Sequence, residues 1–367
     1  MSVKIGLVGA GTGAKFVAAA VAAMTDAELM GICAPSATRR DPLCNEFGGQ
    51  PFDTFAGLLA AKPDVAVICS PNSVRVSQFE AALEAGIDTL IDKPLAINLT
   101  ELTRLLRAAH SSPDRFFGAL LQHSFNPAVV AAERFVKEGL LGTPLAANVT
   151  LHWGRFGEYL DHHYRMANND GVILNQSPHA LHAALQIARH TQPELPRGEH
   201  PVRTVYGVSN SKAHSDDPRC ETETTAVGTM VLWNGFPINY SLTSGTHVSS
   251  KWTVSLIGKN GRIRVREDGV VVRAETDVTQ GSLPGWLPFD SDLASDAPNA
   301  SANASGSGSS YHRLFIEDFL ERRQTNRRSA MEQLIMGSWS TSLGFSMQGT
   351  GHLQQPSSVP SYFAYLD

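Results

Sequence analysis

A glycine-rich segment near the start of the chain has the spacing of a phosphate-binding turn. It fits the pattern G-x-G-x-x-A at Gly9, Gly11 and Ala14. In that pattern the first glycine makes a strand-to-helix turn, the second lets the backbone approach a pyrophosphate, and the third small residue lets the helix pack closely on the strand. The amides of Thr12 and Gly13 belong to the helix start, whose free N–H groups attract phosphate. The segment therefore predicts a dinucleotide site.

The end of the second predicted strand bears on which dinucleotide is bound. The pattern expects a carboxylate about 20 residues on, which bonds the ribose 2′-hydroxyl, but Ala34 stands there. Ser36, Thr38, Arg39 and Arg40 follow, and hydroxyls and guanidinium groups suit a 2′-phosphate. We therefore expect NADP(H) in preference to NAD(H). The alternative is that the two arginines only cap or solvate the next helix.

The elements that must position this turn alternate between strands and helices. Short β-branched runs predict strands at 3–8, 28–33, 65–69, 89–91 and 116–122, with helices at 15–24, 76–85 and 99–109 between them. Apolar strands alternating with helices indicate βαβ units and a parallel sheet covered on both faces. The first 122 residues therefore predict a doubly wound Rossmann domain.

The pattern changes after residue 122. A helix is predicted at 127–138, and runs that alternate every second residue predict strands at 146–152, 202–209, 224–233, 238–243, 251–257, 261–266 and 269–273. One helix, at 177–188, interrupts them, and another follows from 311 to 322. We expect residues 123–367 to form an α+β substrate-binding and oligomerisation domain with a large, mostly antiparallel sheet. Residues 290–310 are rich in Ser, Ala, Asn and Gly and predict a flexible loop.

Composition limits the partners and the compartment. The 367 residues carry a formal net charge of −5, which argues against nucleic acid or an anionic membrane as partner, because either requires a basic field. The chain contains no run of about 18 apolar residues that could span a membrane, and its first residues lack a signal-peptide pattern. The four cysteines show no metal-ligand spacing. We expect a cytoplasmic protein without a bound metal.

Four short motifs follow the glycine turn along the chain. They are Ser70-Pro71-Asn72, Asp92-Lys93-Pro94, Phe125-Asn126-Pro127, and a Gly-rich run that ends in Asn175, followed by three residues and His179. With the turn, these segments resemble the glucose–fructose oxidoreductase/inositol dehydrogenase (Gfo/Idh/MocA) family over most of the chain, to about residue 273. The resemblance implies that Ser70, Pro71, Asn72, Asp92 and Lys93 contact the cofactor, and that the protein is a homodimer or homotetramer.

Four positions depart from the family pattern. Asp92 replaces the usual Glu, Arg75 stands where a His often follows Pro-Asn, His182 replaces a frequent Asp, and Ser124 replaces a frequent Arg or Asn. These departures bear on the identity of the substrate more than on the class of reaction.

The resemblance implies a catalytic set of Lys93, Asn175 and His179. Oxidation of a secondary alcohol requires a base of near-neutral pKa and a cation beside the developing oxyanion. Lys93 follows a parallel strand at the end where ligands bind and would polarise the substrate oxygen. His179 would transfer the proton, and Asn175 would bond the substrate or hold the other two residues in place.

Further residues are candidates for substrate contact. They are His123, Tyr164, Arg165 and His182. His162 and His163 invite a metal hypothesis, but adjacent side chains in a strand or loop point apart and rarely bind one ion together.

We therefore expect an NAD(P)-dependent dehydrogenase or reductase of a sugar, a sugar derivative or a cyclitol. Two alternatives use the same residues. One is a glycoside hydrolase that oxidises its substrate transiently, and the other is a dinucleotide-binding sensor without turnover.

Overall fold

The computed structural model describes residues 2–161, 171–195, 199–214, 222–277 and 307–325, with scattered positions between 334 and 347. These residues fall into two compact units. The first lies within Met1–Gln122 and Pro298–Ser338, and the second within His123–Ala297 and Trp339–Phe363. Tyr164 and Arg165, the neighbouring histidines His162 and His163, and residues 290–306 of the expected loop lie outside the described residues.

The first unit is an α/β domain around one parallel sheet. Its elements are β1 (Val3–Val8), α1 (Thr12–Ala22), β2 (Ala27–Cys33), α2 (Ala37–Phe47), β3 (Gln50–Phe52), α3 (Phe55–Ala60), β4 (Val65–Ile68), α4 (Asn72–Glu84), β5 (Asp88–Asp92), α5 (Leu99–His110) and β6 (Phe117–Leu120). The strands lie in the order β3-β2-β1-β4-β5-β6, and every pair is parallel. This order confirms the predicted Rossmann sheet.

The position of β1 in this sheet fixes where a ligand binds. All four residues of β4 are buried, as expected for a strand covered on both faces. The chain winds from β1 to β2 and β3 on one side, and continues with β4, β5 and β6 on the other. The carboxyl ends of β1 and β4 therefore meet at the switch point, where doubly wound sheets bind ligands.

A late helix, α8 (Ser307–Thr325), belongs to the first unit. It packs on α1, with the His312 ring stacked 5.4 Å from the Phe16 ring, and the Phe319 ring lies 4.9 Å from the Phe116 ring. The sequence-based division placed α8 in the second domain, because sequence distance does not reveal which apolar face a helix covers. The predicted loop, 290–310, extends past the observed start of the helix, because α8 begins at Ser307.

The second unit is built on a mixed, mostly antiparallel sheet of seven strands. Its elements are α6 (Pro127–Lys137), β7 (Pro144–His152), α7 (Pro178–Ala188), β8 (Val202–Asn210), β9 (Thr225–Leu232), β10 (Pro237–Thr243), β11 (Thr253–Gly258), β12 (Gly261–Arg266) and β13 (Val271–Thr276). The order is β13-β12-β11-β7-β10-β9-β8, and within the described part of this sheet only β7 and β10 pair in parallel. The alternating burial of β7 and β10 agrees with helices on one face of the sheet and polar residues on the other.

Helices α6 and α7 pack on one face of this sheet, where they contact β7, β11 and β12. The other face carries polar side chains that bond across strands. The Thr150 and Thr253 hydroxyls lie 2.8 Å apart, and the Asn239 amide donates to the Asn148 side chain at 3.2 Å. Such cross-strand pairs stabilise the sheet.

Among the described residues, no helix combines the length and the apolar character needed to cross a bilayer.

Candidate functional site

The glycine turn joins the ends of three strands in the first unit. The Gly9 amide donates to the Cys33 carbonyl at 2.8 Å, which ties the end of β1 to the end of β2. Gly9 has a φ of +113°, and a Cβ there would lie 2.6 Å from the Cys69 carbonyl oxygen after β4. Only glycine tolerates that φ without strain, so the turn requires it for the conformation and for the close approach.

The start of α1 leaves room for an anion. Gly11 is the N-cap residue, and it has no side chain to cap the first helical amides. A Cβ on Gly11 would meet nothing within 4 Å, while Ala14 is fully buried against the core. Open space, free amides at Thr12 and Gly13 and the positive end of the helix dipole fit a pyrophosphate. The residues present therefore fit the dinucleotide that the sequence predicts.

The loop after β2 separates the two arginines that were expected to act together. Arg40 is buried and donates to the Ala34 carbonyl at 3.1 Å, to Asp41 and to Asp53. Its guanidinium is therefore committed to holding the ends of β2 and β3. Arg39 is exposed and has no acidic partner among the described residues.

The hydroxyls of this loop lie beside each other at the start of α2. The Ser36 and Thr38 side-chain oxygens are 2.9 Å apart, and both residues are accessible to solvent. The group at this strand end that can reach a ligand therefore comprises Ser36, Thr38 and Arg39, without Arg40.

Arg75 holds together the loops that follow β4 and β5. Its buried guanidinium donates to the Ser70 carbonyl at 2.7 Å, to the Lys93 carbonyl at 2.5 Å and to the Pro94 carbonyl at 3.0 Å. It also bonds the Asp92 carbonyl at 3.2 Å and the Asp92 carboxylate at 3.3 Å. One side chain on α4 thus fixes both motif-bearing loops. The sequence signalled Arg75 only as a departure from the family pattern.

Lys93 is placed at the end of β5 by this network. The Lys93–Pro94 peptide bond is cis, and the Lys93 amide donates to the Asp92 carboxylate at 2.8 Å. A Cβ on Gly13 would lie 3.3 Å from the other oxygen of that carboxylate. Asp92 therefore lies between the lysine loop, which it bonds, and the glycine turn of the first unit, with its charge beside the start of α1.

The Ser70–Asn72 segment completes the strand ends. The Ser70 hydroxyl bonds the Gln78 side chain, Pro71 is exposed as the N-cap residue of α4, and Asn72 is buried at the helix start. Burial raises the pKa of the adjacent Cys69 thiol well above its usual value, which disfavours the reactive thiolate.

The second unit brings two of the predicted histidines into contact. The rings of His123 and His179 lie 4.8 Å apart in an edge-to-face arrangement, although 56 residues separate them in the chain. His123 also packs edge-on against Trp252 at 5.4 Å. The Trp252 ring nitrogen is buried and has no hydrogen-bond acceptor among the described residues. His182, one turn along α7, is buried, whereas His179 is half-buried.

Asn175 lies in a π-helical turn, Val172–Gln176, just before α7. The Asn175 amide donates to the Tyr159 hydroxyl at 3.2 Å, and the Gln176 amide donates to the same oxygen at 2.6 Å. Glu223 secures the start of the turn by accepting the Ile173 amide at 2.9 Å. Such π-helical turns are frequent at functional sites. Tyr159 therefore orients the predicted asparagine, and no motif in the sequence pointed to it.

A buried acid adjoins the histidine and tryptophan cluster. Glu267 accepts the Trp252 backbone amide at 3.2 Å, and the Asn126 side chain donates to the Glu267 carbonyl at 2.8 Å. Burial raises the pKa of Glu267 to about 7, partly offset by the Trp252 amide and by the charge of Lys251. Sequence patterns overlooked Glu267, because a lone glutamate after a strand is usually exposed.

The described residues contain no group of three or more histidine, cysteine, aspartate or glutamate side chains that could hold a metal ion.

Family models match both parts of the chain. The model described as "Oxidoreductase family, NAD-binding Rossmann fold" (GFO_IDH_MocA) matches residues 3–119. The model described as "GFO/IDH/MocA C-terminal domain" matches residues 129–264. Together they cover more than half of the chain.

Individual relatives match over shorter stretches. The D-glucoside 3-dehydrogenase of Escherichia coli (strain K12) is 30% identical over 126 residues, which are 34% of this chain and 34% of that protein. The match therefore spans about a third of the relative's own length.

Solved structures match over nearly the whole chain. The WlbA dehydrogenase from Bordetella pertussis, in complex with NADH and UDP-GlcNAcA, has a TM-score of 0.76 and 19% identity over 94% of both chains. The scyllo-inositol dehydrogenase from Lactobacillus casei, with bound NAD(H) and scyllo-inositol, has a TM-score of 0.73 and 18% identity, and covers 98% of this chain and 100% of its own. At these identities the likeness concerns the fold.

Proposed function

Because this chain belongs to the Gfo/Idh/MocA oxidoreductase family, we propose that it transfers hydride between a nicotinamide dinucleotide and a secondary alcohol or ketone. We propose a sugar, a sugar derivative or a cyclitol as substrate. The observation that carries the proposal is the network in the first unit, where Arg75 and Asp92 hold Lys93 beside the glycine turn.

The proposed chemistry assigns a separate task to each residue. The amides at the start of α1 bind the pyrophosphate, and the bound nicotinamide supplies or accepts the hydride. Lys93 places its ammonium beside the substrate oxygen and stabilises the negative charge that develops there. An imidazole nitrogen of His179 takes the hydroxyl proton during oxidation and returns it during reduction. Asn175, oriented by Tyr159, bonds a substrate hydroxyl and sets its position.

The contact between His123 and His179 supports this assignment. A ring packed edge-to-face against the imidazole restricts its orientation, as a positioned acid–base group requires. In this proposal His123 and the buried His182 therefore shape the surroundings of the proton-transfer residue. The proposed substrate contacts Tyr164 and Arg165 lie outside the described residues.

The cofactor preference is a finer part of the proposal. We propose NADP(H) over NAD(H), because Ser36, Thr38 and the exposed Arg39 offer donors for a 2′-phosphate and no carboxylate stands at Ala34. We leave Arg40 out of this hypothesis, because its guanidinium is paired with the carboxylates of Asp41 and Asp53. Replacing Arg39 with Ala should raise KM for NADPH roughly 10-fold or more and leave KM for NADH nearly unchanged. An equal effect on both cofactors would contradict the preference.

One experiment tests the reaction class. Purified protein is mixed with a panel of sugars, sugar acids, cyclitols and their ketones, with each cofactor, and the nicotinamide absorbance is followed together with product. A stoichiometric change in absorbance supports the proposal. Product without net change in absorbance would instead indicate hydrolysis through transient oxidation, and cofactor binding without any product would indicate a sensor.

We further propose a cytoplasmic homodimer or homotetramer. Cys33, Cys44 and Cys69 carry free thiols in the described structure, which suits a reducing compartment. Sedimentation at several protein concentrations would measure the assembly state, and a monomer at micromolar concentration would contradict this part of the proposal.

A further inference from the structure

Arg155 differs from Arg266, another half-buried arginine of the second unit. Its guanidinium lies 4.6 Å over the Trp153 ring and 5.2 Å from the centre of the Tyr159 ring. Its one hydrogen bond in the described structure goes to the neighbouring Gly154 carbonyl at 3.2 Å. By contrast, Arg266 pairs with the carboxylate of Asp268 at 2.8 Å. Within the described part of the chain, Arg155 therefore keeps most of its five N–H donors for another acceptor.

The backbone holds this arginine in a fixed place. Segment 153–155 extends β7, with the Trp153 amide donating to Thr243 at 2.8 Å and the Arg155 amide donating to Ser244 at 2.9 Å. The Gly154 amide adds a bond to the Ser249 hydroxyl at 2.8 Å. The two aromatic rings then limit the rotation of the guanidinium and leave its edge as the hydrogen-bonding surface.

No acidic side chain pairs directly with Arg155 among the described residues. The acid whose charge is coupled to Arg155 is Glu267, but no hydrogen bond or ion pair joins them among the described residues, and burial raises the pKa of Glu267 to about 7. At neutral pH this acid is protonated in a large fraction of molecules and neutralises the guanidinium only in part. A half-buried cation in this state favours an incoming oxyanion.

Tyr159 connects the cation to the predicted substrate residue. Its ring faces Arg155, while its hydroxyl accepts the Asn175 amide. From this geometry we infer that the substrate is an anionic sugar derivative, and that Arg155 binds its carboxylate or phosphate group while Asn175 binds a hydroxyl. The inference rests on the proposed function, which it narrows from polyhydroxylated compounds in general to those that carry an oxyanion.

The test compares matched neutral and anionic substrates on the same holoenzyme. D-Glucose is the neutral member of both pairs, and D-glucuronate or D-glucose 6-phosphate is the anionic member. The corresponding methyl glycosides are tested in the same way. We expect kcat/KM to be roughly 10- to 100-fold higher for the better anionic compound than for its neutral partner, the range of one or two charge-assisted hydrogen bonds. The uronate and phosphate arms distinguish the two sources of the oxyanion.

Variants of Arg155 locate the effect. Arg155→Gln should lower kcat/KM for the anionic compound roughly 10- to 100-fold, mainly through KM, and change kcat/KM for the neutral compound less than about 3-fold. Arg155→Lys, which keeps the charge but not the planar fork, should fall between Gln and the native residue. The matched control is Arg203→Gln, because Arg203 also stacks on a tryptophan, Trp233, at 5.9 Å. The control should leave both substrates unaffected.

Binding is measured separately by calorimetry on the cofactor-loaded protein. Equal kcat/KM for neutral and anionic sugars, or equal losses in the Arg155 and Arg203 variants, would overturn the inference while the proposed function stands. Absence of turnover with every compound would overturn the proposed function. In that case, glucuronate or glucose 6-phosphate that binds the native protein but not Arg155→Gln supports the oxyanion site, and failure to bind either protein rejects it. A melting temperature within a few degrees of the native value shows that each variant is folded.

Discussion

The two units fix their functional groups by different means. In the first unit the proposed pyrophosphate site consists of backbone amides at a strand end, and the loops beside it are held by one guanidinium and one carboxylate. In the second unit the groups are side chains that touch other side chains, such as the ring pair His123–His179 and the amide of Asn175 on Tyr159. In the proposed function, the first arrangement binds a part common to all dinucleotides. The second then recognises what differs from one substrate to another.

This contrast predicts that the two units tolerate substitutions differently. A backbone site depends on conformation, so a few positions such as Gly9 must have one residue type. A side-chain site depends on the identity of many residues, each of which can be replaced with a shift in specificity. We therefore expect variants of the first unit to affect all substrates alike, and variants of the second to separate one substrate from another, apart from the proton-transfer residue.

The largest expected effect tests whether each unit contributes one group to the same chemical step. Lys93→Ala and His179→Ala should each lower kcat by about 10²–10⁴, the range for an oxyanion-stabilising or acid–base group. Steady-state kinetics with a substrate from the panel measures this. His190→Ala serves as the control, because His190 is a half-buried histidine paired with Glu133 at 2.8 Å, and its loss should leave kcat nearly unchanged. Near-normal turnover in either of the first two variants would reject its role.

The next effect concerns the network that orders the lysine loop. Arg75→Met removes a buried cation from five bonds and leaves Asp92 without it, so we expect a loss of about 3–5 kcal/mol in the free energy of unfolding. Urea denaturation measures the loss, and Arg75→Lys should restore part of it. The control is Arg104→Met, whose exposed pair with Glu80 should contribute no more than about 1 kcal/mol. Equal losses in the two methionine variants would show that the first unit does not depend on this network.

The sequence predicts the first unit well where the signal is local. β1 was predicted at its observed bounds, and the glycine turn follows from strand, spacing and helix together. The elements α2, β3 and α3 were missed, because α2 is polar and contains Pro42, and β3 has only three residues. The role of Arg40 was also misjudged, since its partner Asp53 lies 13 residues away after β3 and the pairing exists only in the folded chain.

The second unit shows where the sequence stops being informative about the site. Its strands alternate clearly, so the sheet was predicted nearly strand by strand. Tyr159, Trp252 and Glu267 carry no motif and reach their places through pairings between distant segments, such as β7 with β11. His123 and His179 were proposed separately, and only the fold places their rings in contact. Side-chain sites therefore require the tertiary structure in a way that backbone turns do not.

A pair of glycine variants tests the backbone arrangement directly. Gly9→Ala should cost about 2–5 kcal/mol of stability, because the φ of +113° is unfavourable for alanine and the new Cβ overlaps the Cys69 carbonyl. Gly11→Ala should cost below about 1 kcal/mol, since its Cβ meets nothing within 4 Å, yet it should raise the Kd for the dinucleotide at least roughly 10-fold by occupying the space of the pyrophosphate. Thermal unfolding and cofactor titration separate the two effects. A Gly11 variant that binds the dinucleotide normally would contradict the assigned turn.

The smallest effect is a pH dependence confined to the second unit. The folded chain raises the pKa of Glu267 from an ordinary 4.5 to about 7 by burial, so the native state binds more protons than the unfolded chain between these values. The raised pKa contributes at most about 3 kcal/mol to the free energy of unfolding. This contribution is fully present below pH 4.5 and is lost as the pH rises through about 7. Glu267→Gln keeps a neutral side chain at every pH, so the variant should be more stable than the native protein at pH 8 and no more stable at pH 4. Denaturation at these two pH values measures the difference. If the free energy of unfolding changes with pH by the same amount in the native protein and in Glu267→Gln, Glu267 is ionised in the fold. Its charge, rather than a substrate oxyanion, would then balance Arg155.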